Sequence, residues 1–420
     1  MATTENTLTE TSGTQPGTAS MIPGMGEEGE KLTVTQAKAP RRATQGVDSR
    51  GARTASRDLA DFPVLTGREE DWRFTPLKRL QGLHLPDGDD ARLTGPAPRV
   101  TVSEHPGVQV ETVSRHDERL GSVLTPDDRV SAAAWNSFET ATVVTITANT
   151  HVDAPVRISV EGAGSDPAAA HLLVRAEQGA QADVVITHRG QAVLAQNVEF
   201  GLARDTRLHV TSIQAWDAGS VHVSAQQASV DTGAHFKHVT VSYGGDVVRL
   251  TPTARFADER GEAELYGLYY ADAGQHLESR LFVDHNQPRC LSNVLYKGAL
   301  QGQDARTVWV GDVLIRKAAE GTDTYEKNQN LLLTDGARAD SVPNLEIETG
   351  VIAGAGHASA TGRFDESQLF YLMARGISEA EARKLIVRGF LNEVLQKIGV
   401  DDVEAELTAV MEDELRIAAL

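Results

Sequence analysis

From Gly179 onward one pattern recurs, a turn residue followed by an alternating strand: GAQADVVI from Gly179, DTRLHVTS from Asp205, GAHFKHVT from Gly233 and GEAELYGL from Gly261. The starts step by roughly 26 to 28 residues, which is the range of a solenoid coil. One coil cannot bury the inner face of its own strands, and stacking on the next coil completes it. DARTVWVG from Asp304 and GARADSVP from Gly336 continue the pattern with wider steps. Similar alternation runs through TVVTITA, VRISVEG, HLLVRAE, SVHVSA and HFKHVTVSY, bounded by Gly, Asp or Asn. The 37 glycines and 5% aromatic content suit many short strands and tight turns better than a helical bundle. The chain is therefore expected to be mainly β, with a parallel β-helix over 141–364. An antiparallel sandwich is the alternative that the same short strands would serve.

The flanks have a different texture. Residues 1–46 are rich in Thr, Gly, Glu, Gln and Pro with few large apolar groups, so they are expected to form a disordered tail. Residues 47–140 form a mixed N-terminal region. Its first half, to about Leu85, has sparse helix-like spacing with Thr66 and Glu69 as a capping box, and Pro76 ends the element by restricting Thr75. Trp72 and Phe74 are expected to form a small packing cluster. Strands are expected over Val100 to Val113, and a short helix or turn over Ala132 to Phe138.

Residues 365–420 read as a helical domain. Asp365 with Gln368 opens a first helix that Gly376 stops, and Ser378 with Glu381 opens a second whose apolar face is Ala382, Leu385, Ile386, Phe390, Val394 and Ile398. Gly399 ends it. Val403, Leu407, Val410, Met411 and Ala418 mark a third. Such a unit could cap the end of the solenoid against edge-to-edge growth or offer a groove to a partner.

A net charge of −19, with no basic run beyond Arg41 and Arg42, disfavours nucleic-acid or anionic-membrane partners. Cys290 is the one thiol, so an intrachain disulfide, a Cys-type zinc site and a complete four-thiolate cluster are excluded. Any cluster would have to be shared between chains. The chain has no stretch of membrane-spanning length and no signal-peptide pattern, so a cytoplasmic location is expected. It carries no G-x-x-x-x-G-K-[ST] or G-x-S-x-G motif, and no G-x-G-x-x-G follows a strand and opens a helix. His235 and His238 would face opposite sides of a strand. Cys290, with His285 and Arg289 nearby in sequence, reads as a small buried hydrophobe. His357, in the run of small residues Ile352 to Ala360, is the open candidate, because Gly356 and Ala358 leave its imidazole unshielded.

The run HLESRLFVDHNQPRCLSNVLYKGAL, then VLIRKAAEGTDTYEKNQNLLLTDGARADSVPNLEI, then His357 and GRFDESQLFYLMARGI, resembles the SufB/SufD family of iron–sulfur cluster assembly proteins. EDWRFTPL is similar to the family's N-terminal element. Within the family the chain looks like SufD. SufB usually carries several cysteines and a Glu directly after the histidine matching His357, whereas here that place is Ala358. Many SufD proteins have a Cys two residues before this histidine, whereas here it is Ala355, and the stretch from Ile347 to His357 is one residue longer. The departure leaves the imidazole as the candidate ligand.

The resemblance implies a right-handed parallel β-helix between two helical regions, and a non-catalytic scaffold subunit of a SufBC2D complex. SufB and SufD would pair through their solenoids, and the C-terminal helices would bind SufC, an ATPase that supplies all ATP chemistry. His357 would ligate iron or a transient, shared iron–sulfur cluster at the SufB interface, and a homodimer is a further possibility. The competing readings are a SufB-type scaffold, which the single thiol disfavours, and a carbohydrate-active β-helix enzyme. The latter needs converging carboxylates, and no Asp or Glu ladder appears at coil spacing.

Overall fold

A computed structural model describes residues 54–84, 92–364 and 366–417. The tail expected over 1–46, and Asp365 as a helix cap, lie outside the described residues. Elements follow in the order β1 (Arg99–Val102), β2 (Val108–Ser114), α1 (Arg129–Ser137), β3 (Thr140–Ile146), β4 (Val156–Glu161), β5 (Gly164–Ala176), β6 (Gln181–Gly190), β7 (Ala192–Leu202) and β8 (Arg207–Trp216). They continue with β9 (Val221–Val230), β10 (His235–Ser242), β11 (Val247–Phe256), β12 (Glu262–Ala271), β13 (His276–His285), β14 (Leu291–Leu300) and β15 (Arg306–Ile315). The last are β16 (Thr322–Leu332), β17 (Arg338–Ile347), β18 (Ile352–Arg363), α2 (Glu366–Ala374), α3 (Glu379–Leu395) and α4 (Asp401–Ile417).

The strands alternate between two nine-stranded sheets, β1-β4-β6-β8-β10-β12-β14-β16-β18 and β17-β15-β13-β11-β9-β7-β5-β3-β2. Successive neighbours are parallel, except that β1 joins β4 and β2 joins β3 antiparallel at the first end. The result is a parallel β-solenoid of two strands per coil, not a sandwich. Gln181 pairs with Arg207, Arg207 with His235 and His235 with Glu262, so the turn repeat seen in the sequence is the coil itself. Later coils are longer, with Leu291 opposite Asp323. The Asp304 and Gly336 runs enter β15 and β17, which belong to the opposite sheet, and this is why they break step. Turns stack as well as strands. Gly233 has φ +67°, and a Cβ there would sit 2.5 Å from Asp205 Oδ1 in the turn below, so glycine is required.

Side chains alternate between lumen and exterior, and along the middle coils both sides are buried. The lumen holds the main apolar core, including Val184, Leu208, Phe236, Leu265 and Trp309. The outside of the second sheet packs Leu173, Val193 and Val223 under α1 and the N-terminal segment, through Leu80, Leu83 and Trp135. Outside the first sheet, Val239, Val241, Tyr266, Leu268 and Leu295 lie beneath Val387, Phe390, Leu391 and Val394 of α3 and Val403 and Leu407 of α4. Helices α3 and α4 therefore cover a sheet face rather than the end of the solenoid, because that face is apolar and needs burial.

Local departures have local causes. Segment 54–84 forms no α-helix, only 3-10 turns at Leu59–Asp61 and Leu77–Arg79. The Glu69 carboxylate accepts from the Thr66 and Gly67 amides, and the Thr66 hydroxyl donates to it, which closes a turn at Gly67 (φ +81°) without starting a helix. Trp72 is buried with the Arg249 guanidinium 4.0 Å from its ring centroid, and Phe74 lies against Arg73. In α3 the Ser378 hydroxyl accepts from the Glu381 amide as the capping box requires, but Leu385 points to solvent and Val387, Leu391 and Leu395 are buried in its place.

Candidate functional site

His357 lies on β18, the last strand of the first sheet, whose one neighbour is β16. The register sets His357 beside Glu326, and both fall on the lumen side with buried Thr324, Asn328 and Asn330. No described strand stacks beyond β17 and β18, so the lumen opens there. The His357 side chain is 43% exposed while the Glu326 side chain is fully buried, and His357 Nδ1 is 3.6 Å from Glu326 Oε1. The imidazole therefore forms the mouth of the lumen and the carboxylate its floor.

Neither Glu326 oxygen accepts a hydrogen bond among the described residues. Burial pushes its carboxyl up to about 6, only partly offset by His357. Glu326 in turn pushes the His357 pKa up against the opposing effect of burial. Across the lumen, Gly311 makes the space, since a Cβ there would overlap Glu326 Oε2 and the Trp309 ring. The neighbouring amides are paired. Ser341 Oγ donates to Asn328 Oδ1 at 2.8 Å, the Asn328 amide donates to the Tyr269 hydroxyl at 2.8 Å, and that hydroxyl donates to Asn330 Oδ1 at 2.6 Å. Glu326 is the one carboxylate among the groups left unpaired in this layer, beside the Tyr296 hydroxyl and the Trp309 indole nitrogen. A buried carboxylate oxygen beneath an accessible imidazole nitrogen is a donor pair suited to divalent iron.

The other side chains weighed from the sequence do not join this site. Cys290 is buried, its thiol donating only at 3.6 Å to the Asp258 and Pro288 carbonyls, and burial pushes its pKa up. Arg289 turns away to pair with Glu259. His285 is buried, its Nε2 2.8 Å from Ser292 Oγ. His238 is buried between Phe200 and Phe236, whereas His235 faces outward. Glu326 itself escaped the sequence reading. The signal was present in TDTYEKNQN, where Thr322, Thr324, Glu326, Asn328 and Asn330 share one strand parity and make a polar lumen face.

On the helical side, Phe370, Tyr371 and Met373 of α2 and Leu385 of α3 are exposed, Phe370 to 73%. No helix among the described residues is long and apolar enough to cross a membrane.

Comparison with known proteins gives a consistent result. Residues 158–390 match the family model described as SUF system FeS cluster assembly, SufBD core domain. The chain is 57% identical over 383 residues to iron-sulfur cluster assembly SufBD family protein Rv1462 of Mycobacterium tuberculosis, covering 89% of this chain and 96% of that one. It is 52% identical over 376 residues to the SufBD family protein ML0594 of Mycobacterium leprae, covering 88% and 95%. A second SufBD family protein of M. leprae, ML0593, is 27% identical over 277 residues, covering 64% of this chain and 31% of that one. The solenoid, the family model and the full-length relatives agree: the chain belongs to the SufBD family of iron–sulfur cluster assembly proteins.

Proposed function

We propose that this chain is the SufD-type, non-catalytic scaffold subunit of a SufBC2D complex, and that His357 ligates iron or a nascent cluster at the boundary with a SufB-type sister. The observation that carries the reading is the pairing of an accessible imidazole with an orphaned buried carboxylate at the open end of the solenoid. The lone buried thiol supports a shared cluster, because Cys290 is sealed in the core and cannot reach that end. The presence in M. leprae of two SufBD family proteins at 52% and 27% identity supports a sister-subunit pairing. The apolar patch on α2 and α3 supports docking of a SufC-type ATPase at the C-terminal helices, with ATP hydrolysed by that partner in the cytoplasm. The iron and sulfide of the cluster are cargo. His357 supplies a nitrogen at the boundary, Glu326 orients the ring and balances cationic charge, and movement of the boundary releases what is held there.

The test is cluster reconstitution on the purified complex. His357→Ala is expected to leave folding and ATPase binding intact and to lower cluster yield, and Glu326→Gln to weaken iron retention about 10–100-fold. Unchanged reconstitution in His357→Ala would remove the imidazole from the site.

A further inference from the structure

The outer face of the first sheet carries a row of ionisable side chains that the lumen site does not use. Asp183 on β6, His209 on β8, His235 on β10 and Glu264 on β12 form a continuous chain across four coils. Asp183 Oδ1 is 3.0 Å from His209 Nδ1, and His209 Nε2 is 3.3 Å from His235 Nδ1. His235 Nε2 is 3.0 Å from Glu264 Oε2 and 4.0 Å from Glu262 Oε1.

With both rings neutral, two ring protons serve three contacts, so one gap of this chain lacks a proton. If His209 Nδ1 donates to Asp183 and His235 Nδ1 to His209 Nε2, then His235 Nε2 is the bare acceptor beside Glu264 and Glu262; in the reverse order it is His209 Nδ1 that is bare toward Asp183. A cation at His235 Nε2 selects the first order and takes the place of the missing proton. The support behind it is the kind that metal-binding imidazoles use, a second hydrogen-bonded group fixing the tautomer and a carboxylate fixing that group.

We propose that His235, Glu262 and Glu264 form a binding site for a divalent first-row transition cation, with His209 and Asp183 as its outer support. The three ligand atoms lie within 4.8 Å of one another. Metal–ligand bonds of about 2.0–2.2 Å need ligand separations of about 3.4 Å, so side-chain rotation closes the site without moving the strands. An imidazole with two carboxylates favours zinc or ferrous iron over magnesium or calcium, which prefer all-oxygen shells. His235 and Glu264 are 19% and 22% exposed and Glu262 is 47% exposed, so the cation has a path from solvent and coordination positions open to water. The site lies at the edge of the α3–α4 footprint. The Tyr266 hydroxyl donates to Glu264, and Lys397, just after α3, holds its ammonium 5.2 Å from the Tyr266 ring. An occupied site would thus brace the solenoid where the helices dock. Lys237, opposite Glu264 in register, brings the competing positive charge.

The test is calorimetric titration of the tag-free, chelator-stripped full chain with zinc, repeated with ferrous iron under anaerobic conditions and with magnesium. One zinc per chain is expected at this site, with a rise in melting temperature, and magnesium is expected to bind far more weakly. His235→Gln and Glu262→Gln are expected to weaken zinc binding about tenfold or more and to remove the thermal shift, and His209→Ala to weaken it about 10–100-fold. His357→Ala is expected to retain it, which separates this site from the lumen site. Because Glu262 is half exposed, its variant is expected to fold. Zinc affinity and stoichiometry unchanged in His235→Gln and Glu262→Gln, or magnesium bound as tightly as zinc, would overturn the proposal.

Discussion

The position of a histidine relative to the lumen decides what it can do. His188, His238 and His285 are buried, and desolvation holds their pKa values down at about 4, about 3 and about 3. They are neutral packing groups in the folded chain, whereas His357, at the mouth, keeps a solvent-facing edge. The three have a stability consequence. In the unfolded chain they bind protons below about 6.5. The unfolded state therefore takes up more protons than the folded one as pH falls from there toward the folded values, and stability drops. Each contributes roughly 1.4 kcal/mol per pH unit inside that window, and nothing above it. His238 offers the clean test, since it sits against Phe200 and Phe236 and its Nε2 has no partner among the described residues. His238→Phe is expected to fold at neutral pH and to flatten the fall in urea midpoint between pH 6.5 and 5, and an unaltered pH slope would contradict the assignment. His357 was legible in the sequence because small residues flank it. Glu326 was not, because only the coil register brings it beside a residue in the next coil.

At the scale of elements, the sequence disclosed what repeats and hid what merely docks. Strand starts follow from turn residues at coil spacing, and the Gly376, Ser378 and Gly399 signals sit at helix ends because capping chemistry is local. The course of residues 54–84 was misread because its fold is set by distant partners. Thr75 donates to Glu278, and Arg79 pairs with Asp246, both on later coils. In and just after helix α3 the expected face is buried at Ala382, Phe390, Val394 and Ile398, and the outer face of the first sheet takes Val387 and Leu391 in place of Leu385 for the same reason. That packing also sets the right test for ATPase docking. Deleting 378–420 would strip the cover from Val239, Tyr266 and Leu268 and damage the solenoid, so loss of binding would be uninformative. Phe370→Glu with Tyr371→Glu alters only exposed side chains, and stability is expected to change by about 0.5 kcal/mol or less. The double variant is expected to lose pull-down of a SufC-type ATPase, and retained binding would move that interface off α2.

The whole molecule is asymmetric along its axis. At the first end the terminal strands β1 and β2 pair antiparallel with β4 and β3, while at the other the parallel strands β17 and β18 are terminal among the described residues and border a lumen mouth lined by polar groups. Exposed edges of this kind invite pairing with another chain unless they are covered. Helices α3 and α4 pack on the outer face of the first sheet instead. In the proposed function a sister subunit completes this end and meets the chain at His357. The most direct measurement is the native mass of the intact complex purified from cells. A mass equal to one copy of this chain, one SufB-type sister and two ATPase subunits is the expected result. A stable, assembly-competent complex of this chain with the ATPase and no sister would contradict it.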